Sequence, residues 1–228
     1  MCLHDLTDGT LLALLDSATV TAWRTGLAAA LATHVLATDQ SAVVGVVGAG
    51  TQAAMVLAGL TALRKVERLV VHDVVPERSA EFLTTQGIPG TTATSAQEVA
   101  AKADVVVLAT WSRAPLLTAA DLRPGLHLTT LGADEPGKIE LSADLLRNAG
   151  VIVDDWALAV QMGALGNVGV EAKHATLSEV LTGTAAGRRT PDEVTVYAPV
   201  GLPWQDLAVA WPAYLAAKET APTIDFLS

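Results

Sequence analysis

With 228 residues, 51% of them hydrophobic and only 17% charged, the chain has enough apolar side chain to bury a sizeable core and too little charge for a disordered segment. A formal net charge of −10 offers no basic surface from which phosphate counterions could be released, so nucleic acid is excluded as an expected partner. The single cysteine, Cys2, excludes an internal disulfide, and the first residues lack a basic stretch followed by an apolar core, so no secretory leader is read and the cytoplasm is the expected compartment.

In chain order, residues 3–16 read as a hairpin turning at Asp8-Gly9. Thr21 is the expected cap of a helix through Trp23, Arg24, Leu27, Ala30, Leu31 and His34. Residues 42–47 read as a buried strand, followed by a glycine-rich loop, a helix to Leu63 and a second strand over 68–72. The stretch from Ser41 to Leu63 carries no charge and could span a bilayer by length. Its early glycines and Gln52 fit a buried strand running into a buried helix instead, so no membrane segment is expected.

Helices are expected over 80–87, 95–102, 142–148 and 177–181, and strands over 104–109, 127–131, 151–153 and 194–197. Buried runs alternating with helical segments predict an α/β fold, a Rossmann-type doubly wound parallel sheet. Within the loop 183–191, Arg188 and Arg189 are expected at the solvent surface. A final helix over 205–218 places Leu207, Trp211 and Leu215 on one apolar stripe that needs burial.

The loop Gly48-Ala49-Gly50-Thr51-Gln52-Ala53 meets three demands of a dinucleotide phosphate loop. Gly48 serves the tight turn, Gly50 the close approach of main chain to pyrophosphate, and Ala53 the packing of helix on strand. The helix that follows aims free N–H groups and its positive dipole end at the phosphates. Asp73 ends the next strand 23 positions after Gly50, near the ~20 expected of a carboxylate that takes the ribose hydroxyls. That carboxylate repels a 2′-phosphate, so NAD(H) is favoured, with NADP(H) left open by His72 and Arg78 nearby.

Five stretches together are more specific than the loop alone: Leu3-His4-Asp5 with Gly9 and Leu14-Leu15-Asp16; Thr21-Ala22-Trp23-Arg24-Thr25; the glycine loop; Ala109-Thr110-Trp111-Ser112-Arg113-Ala114-Pro115; and the run Leu131-Gly132-Ala133-Asp134-Glu135-Pro136-Gly137-Lys138-Ile139-Glu140-Leu141. In their order and spacing the chain resembles the ornithine cyclodeaminase/μ-crystallin family over nearly its whole length. The resemblance implies a dimer of two-domain subunits, with a Rossmann domain over 23–202 inserted into an oligomerisation and substrate domain of which 1–22 and 203–228 are a reduced remnant. It also implies cofactor contacts from Thr51, Gln52, Asp73, Thr110, Gly132, Lys138 and Val200, with Arg24 near the nicotinamide and the substrate carboxylate and Asp134 as acid/base.

The chemistry supports the last two roles independently. Hydride loss from an amino-acid Cα leaves an iminium, so the site needs a carboxylate to manage protons and a cation for the substrate carboxylate. Asp134 follows a strand at the carboxyl end of a parallel sheet, where ligands bind; without the resemblance it reads as a turn residue before Pro136-Gly137, and Arg24 as a paired arginine on an apolar helix.

Two departures stand out. Relatives carry a longer N-terminal segment that supplies the substrate clamp and part of the dimer domain, whereas this sequence starts at the last hairpin of that domain. Near the end, Ala198-Pro199-Val200-Gly201 puts Pro199 where the family often has a small hydroxyl residue.

The expected activity is that of an NAD(P)(H)-dependent imine or ketimine reductase or amino-acid dehydrogenase, acting on a small-molecule or peptide-borne substrate. Two alternatives stay open: an ornithine or lysine cyclodeaminase, and a non-catalytic cofactor-binding subunit. The expected partner is a second copy or another protein covering the reduced domain. The five histidines are scattered, so no metal site is expected; Trp111, Trp156, Trp204 and Trp211 are expected in core or interface.

Overall fold

A computed structural model describes residues 1–171 and 174–224. The chain divides into two compact units, one formed by Met1–Arg24 and the chain from Leu202 onward, the other by Thr25–Gly201.

The chain opens with strands β1 (Cys2–His4) and β2 (Leu11–Leu14), paired antiparallel across the Gly9 turn. Helix α1 runs over Ser17–Leu36. It starts four residues before the expected cap at Thr21, because the Asp16 carboxylate accepts hydrogen bonds from the free N–H groups of Ala18 at 3.2 Å and Thr19 at 3.0 Å.

Next come β3 (Val43–Val47), α2 (Thr51–Leu63), β4 (Arg68–His72), α3 (Pro76–Gln86), β5 (Gly90–Thr92), α4 (Ala96–Lys102) and β6 (Val105–Leu108). They are followed by β7 (Arg113–Leu117), β8 (His127–Thr130), β9 (Ile139–Leu141), α5 (Ala143–Arg147), β10 (Gly150–Val153), α6 (Trp156–Ala159) and α7 (Gly163–Val168). The last elements are β11 (Ala175–Thr176), α8 (Leu177–Leu181), β12 (Thr195–Tyr197) and α9 (Pro203–Ala217).

Eight strands form one sheet in the order β11-β10-β12-β8-β6-β3-β4-β5, and each pairing within it is parallel. Successive side chains point to opposite faces of a strand, and both faces are covered. Val44, Val46, Leu69, Val71, Val105 and Val107 pack with residues of α1 and α2. Their neighbours Val47, Val70, Val106 and Leu108 pack with α4 and α5. This double burial is why the strands read as unbroken apolar runs rather than alternating ones. Close approach of α1 and α2 is permitted by Gly26, where a Cβ would lie 2.4 Å from Met55.

The uncharged stretch from Ser41 to Leu63 is accounted for by β3, the glycine loop and α2, and no described helix is long and apolar enough to cross a membrane. The chain runs from β3 outward to β4 and β5, then returns to place β6 on the other side of β3. Strand order therefore reverses at β3, and the crevice beyond the carboxyl ends of β3 and β6 is where such sheets bind ligands.

Several short elements escaped the sequence pattern: β5, β7, β9, β11, α6 and α7. β5 is an exposed Gly-Thr-Thr edge, and β7 holds Pro115 and, among the described residues, pairs with β9 alone in a separate two-stranded ribbon, so neither shows an apolar period. Two expectations about surfaces are corrected. Arg188 does not project into solvent, since its Nε donates to Leu36 O at 2.9 Å and its NH2 to Thr195 Oγ1 at 2.8 Å. The α9 stripe is not buried within the chain, with Trp204, Leu207, Trp211 and Leu215 all exposed. A second apolar row, Trp23, Leu27, Leu31 and Val35, lies exposed along α1 at four-residue spacing.

Candidate cofactor and hydride-transfer site

The site is built at the carboxyl ends of β3, β6 and β8, which are neighbours in the sheet. Gly48 follows β3 with φ 89°, and a Cβ there would sit 2.5 Å from Ala109 O at the end of β6. Only glycine combines that left-handed turn with so close an approach. Asp73, just after β4, fastens the loop by accepting from Ala49 N at 2.9 Å, while its other oxygen accepts from Val75 N at 2.9 Å.

At the start of α2 the cap residue is Gly50, which offers no side chain to the first-turn N–H groups. Space is open where a Gly50 Cβ would stand, Ala53 is buried, and Gln52 Oε1 is buried with no hydrogen-bond partner among the described residues. Uncapped N–H groups that donate and open space beside the glycine are what a bound pyrophosphate requires, so the residues present fit a dinucleotide.

The second part of the site hangs on Glu140, to which the sequence reading gave no role. Its side chain is fully buried in β9 and accepts four hydrogen bonds. Oε1 takes Thr110 N and Thr110 Oγ1, both at 2.7 Å, and Oε2 takes Thr130 Oγ1 at 2.7 Å and Gly132 N at 2.9 Å. Burial raises the pKa of this carboxyl above the ordinary glutamate value, opposed by the four donated hydrogen bonds. One side chain thus joins the segment after β6 to the segment after β8. Gly132 must be glycine for this closure, because a Cβ would lie 2.1 Å from Thr110 O and 2.4 Å from Glu140 Oε1.

The loop between Gly132 and Glu140 carries Asp134 and Lys138. Lys138 is almost fully buried, and its Nζ lies 3.1 Å from Asp134 Oδ1, 3.3 Å from Glu135 Oε2 and 3.8 Å from the centre of the Trp111 ring. Trp111 is 78% exposed, so it is not a core residue; its indole covers the ammonium group instead. Asp134 is about half exposed, with Oδ1 engaged by Lys138. Val200 N donates to Asp154 Oδ1 at 3.0 Å, and Gly201 N to Asp154 Oδ2 at 2.6 Å.

The structure therefore brings Gly48, Gly50, Thr51, Gln52, Ala53 and Asp73 together at one loop, and Thr110, Gly132, Asp134 and Lys138 together around Glu140 and Trp111. Val200 is held separately by Asp154, just after β10. Arg24 belongs to the other unit, where its Nε pairs with Asp206 Oδ1 at 3.1 Å.

Three residues of this architecture were missed. Glu140 had a signal, a lone acid between Ile139 and Leu141. Asp154 had one too, since it directly follows a buried strand at the sheet's ligand-binding end. Asn167, described below, had none.

A family model described as the ornithine cyclodeaminase/mu-crystallin family matches residues 1–221. The alanine dehydrogenase of Archaeoglobus fulgidus is 35% identical over 221 residues, covering 94% of this chain and 69% of that protein. A solved archaeal alanine dehydrogenase dimer with bound NAD superposes with a TM-score of 0.92 at 34% identity, covering 99% of this chain and 73% of that one. The Thermococcus litoralis Δ(1)-pyrroline-2-carboxylate reductase, solved with NADH and L-proline, superposes with a TM-score of 0.89 at 31% identity, covering 96% and 71%.

Proposed function

Given that this chain belongs to the ornithine cyclodeaminase/mu-crystallin family, we propose that it transfers hydride at an amino-acid Cα or the corresponding imine. In this reading it is an NAD(P)(H)-dependent imine or ketimine reductase or amino-acid dehydrogenase. The observation that carries the reading is the loop 132–138, which holds a half-exposed carboxylate, Asp134, against a buried cation, Lys138, beside the switch point of a dinucleotide sheet.

The glycine loop and the first turn of α2 hold the pyrophosphate, with Thr51, Gln52 and Ala53 at the helix start. Asp73 receives the ribose hydroxyls and disfavours a 2′-phosphate, which makes NAD(H) the preferred cofactor. Thr110, Gly132, Lys138 and Val200 border the nicotinamide side. When bound, the nicotinamide supplies or accepts the hydride.

The protein's own work is to place a proton and hold charge. Asp134 Oδ1 is tied to Lys138 Nζ, which leaves Oδ2 to give a proton to, or take one from, the substrate nitrogen. The family resemblance gives Arg24 the substrate carboxylate; within its own unit Nε is engaged by Asp206, and among the described residues no hydrogen bond takes its terminal guanidinium nitrogens. The exposed apolar rows on α1 and α9 are the surfaces through which a second copy of the chain docks.

The test is to incubate the purified chain with NADH or NADPH and a panel of cyclic and linear imino acids, alongside Asp134→Asn. Turnover that Asp134→Asn abolishes while cofactor affinity is retained supports the reading. Tight cofactor binding with no turnover of any imine or amino acid would favour a binding subunit, and ammonia release from ornithine or lysine with NAD⁺ would favour a cyclodeaminase.

A further inference from the structure

Asn167, the fifth residue of α7, commits its whole side-chain amide to one loop. Its Nδ2 donates to Glu135 O and Lys138 O, each at 2.8 Å, and lies 3.3 Å from Ala133 O. Its Oδ1 faces Gly137 N at 3.4 Å. Three carbonyl oxygens can only accept, so the amide orientation is fixed by its surroundings.

These contacts bracket the chemistry. Ala133 and Glu135 flank Asp134 on either side, and Lys138 is the cation against it. Glu140 pinches the base of the same loop through Thr130 and Gly132, but nothing in that pinch fixes the backbone from 133 to 138. Within that span the chain turns through Pro136 and Gly137, the latter at φ 78°. Among the described residues, Asn167 is the side chain that ties the two ends of this turn together from outside the loop.

We propose that Asn167 is a positioning residue for hydride transfer: it holds the 133–138 backbone so that Asp134 and Lys138 present one fixed carboxylate–ammonium geometry to the substrate. The proposal rests on the assignment of Asp134 as the acid/base. Its effect is chiefly on catalysis rather than on cofactor affinity, because Asn167 grips neither the glycine loop nor Thr110 and reaches the nicotinamide side through the Lys138 carbonyl alone.

Asn167→Asp keeps the shape and turns both donors into acceptors facing carbonyl oxygens; Asn167→Ala removes the amide without adding charge and serves if the first variant does not fold. Three readouts are compared with the parent chain: NADH titration, steady-state turnover of the best imino acid, and amide hydrogen exchange resolved over residues 132–138. A loop displaced by about 1 Å lowers kcat on the order of 100-fold, with the NADH dissociation constant changed by less than about twofold. Losing the amide's hydrogen bonds accelerates exchange in the loop by about tenfold or more.

Unchanged kcat and unchanged loop exchange in a folded variant would overturn the proposal. Exchange accelerated across the whole of residues 25–201 would also overturn it, by making Asn167 a general stability residue. Should the parent chain bind NADH but turn over no substrate, the functional reading falls by itself. Exchange then decides the positioning claim: acceleration confined to 132–138 sustains it, and unaltered protection refutes it.

Discussion

Replacing Glu140 by glutamine tests whether the two halves of the site depend on one buried carboxylate. Each oxygen of Glu140 accepts one peptide N–H and one threonine hydroxyl: Thr110 N with Thr110 Oγ1, and Gly132 N with Thr130 Oγ1. Whichever oxygen becomes an amide NH2, its threonine hydroxyl can rotate to accept, but the peptide N–H cannot. One buried donor is therefore left facing another donor, at a cost of about 1–3 kcal/mol, and the remaining bonds lose their charge assistance. Relief from burying a charge offsets part of this. A net loss of roughly 2 kcal/mol lowers Tm by about 4–8 °C in a chain of this size. Thermal unfolding followed by circular dichroism reads the stability, and NADH titration reads the separation of Thr110 from Gly132 as weaker binding. A variant that melts with its parent and binds NADH equally well would refute this account of Glu140.

Gly48→Ala places a methyl 2.5 Å from Ala109 O at a residue with φ 89°; the strain is expected to cost about 1–3 kcal/mol or more and to weaken NADH binding at least tenfold, by fluorescence titration. Asp73→Asn removes the charge that repels a 2′-phosphate while keeping an acceptor for Ala49 N; the ratio of NADPH to NADH affinity should rise about tenfold or more, roughly 1.4 kcal/mol. His127 is fully buried between Thr195 Oγ1 and Thr129 Oγ1, and burial pushes its pKa down to about 3 from the ordinary 6.5. Between those values the unfolded chain binds more protons than the folded one. Stability from this group is therefore complete above about pH 6.5 and falls by about 1.4 kcal/mol per pH unit towards pH 3. Urea titrations across that window should show the slope in the parent and its loss in His127→Gln; equal slopes would contradict it.

The parts legible in sequence were those written locally. The glycine loop, its strand and the acid at position 73 lie within one βαβ unit, and the unbroken apolar runs of β3 and β6 announced a sheet buried on both faces. The parts that were not legible depend on partners distant in sequence. Glu140 is defined by Thr110, thirty positions away, and Asn167 by carbonyl groups, which carry no side-chain identity for a pattern to display. Arg188 looked like a loop charge because its acceptors, Leu36 O and Thr195 Oγ1, come from other elements. Thr21 looked like the cap of α1 because it is a good capping residue before an apolar run, but Asp16 reaches the N–H groups first. The α9 stripe shows the limit of periodicity: the pattern correctly marks a face that avoids water, yet says nothing about whether the chain itself supplies the cover.

The most direct test of the central claim is isotopic. The chain is supplied with NADH carrying deuterium at the transferable C4 position and with a cyclic imino acid, and the product is analysed by mass spectrometry. One deuterium at Cα of the amino acid made by the parent chain, with no amino acid formed by Asp134→Asn at matched NADH occupancy, is the predicted result. An amino acid formed without deuterium, or no product from any imine while NADH remains bound, would contradict hydride transfer by this site.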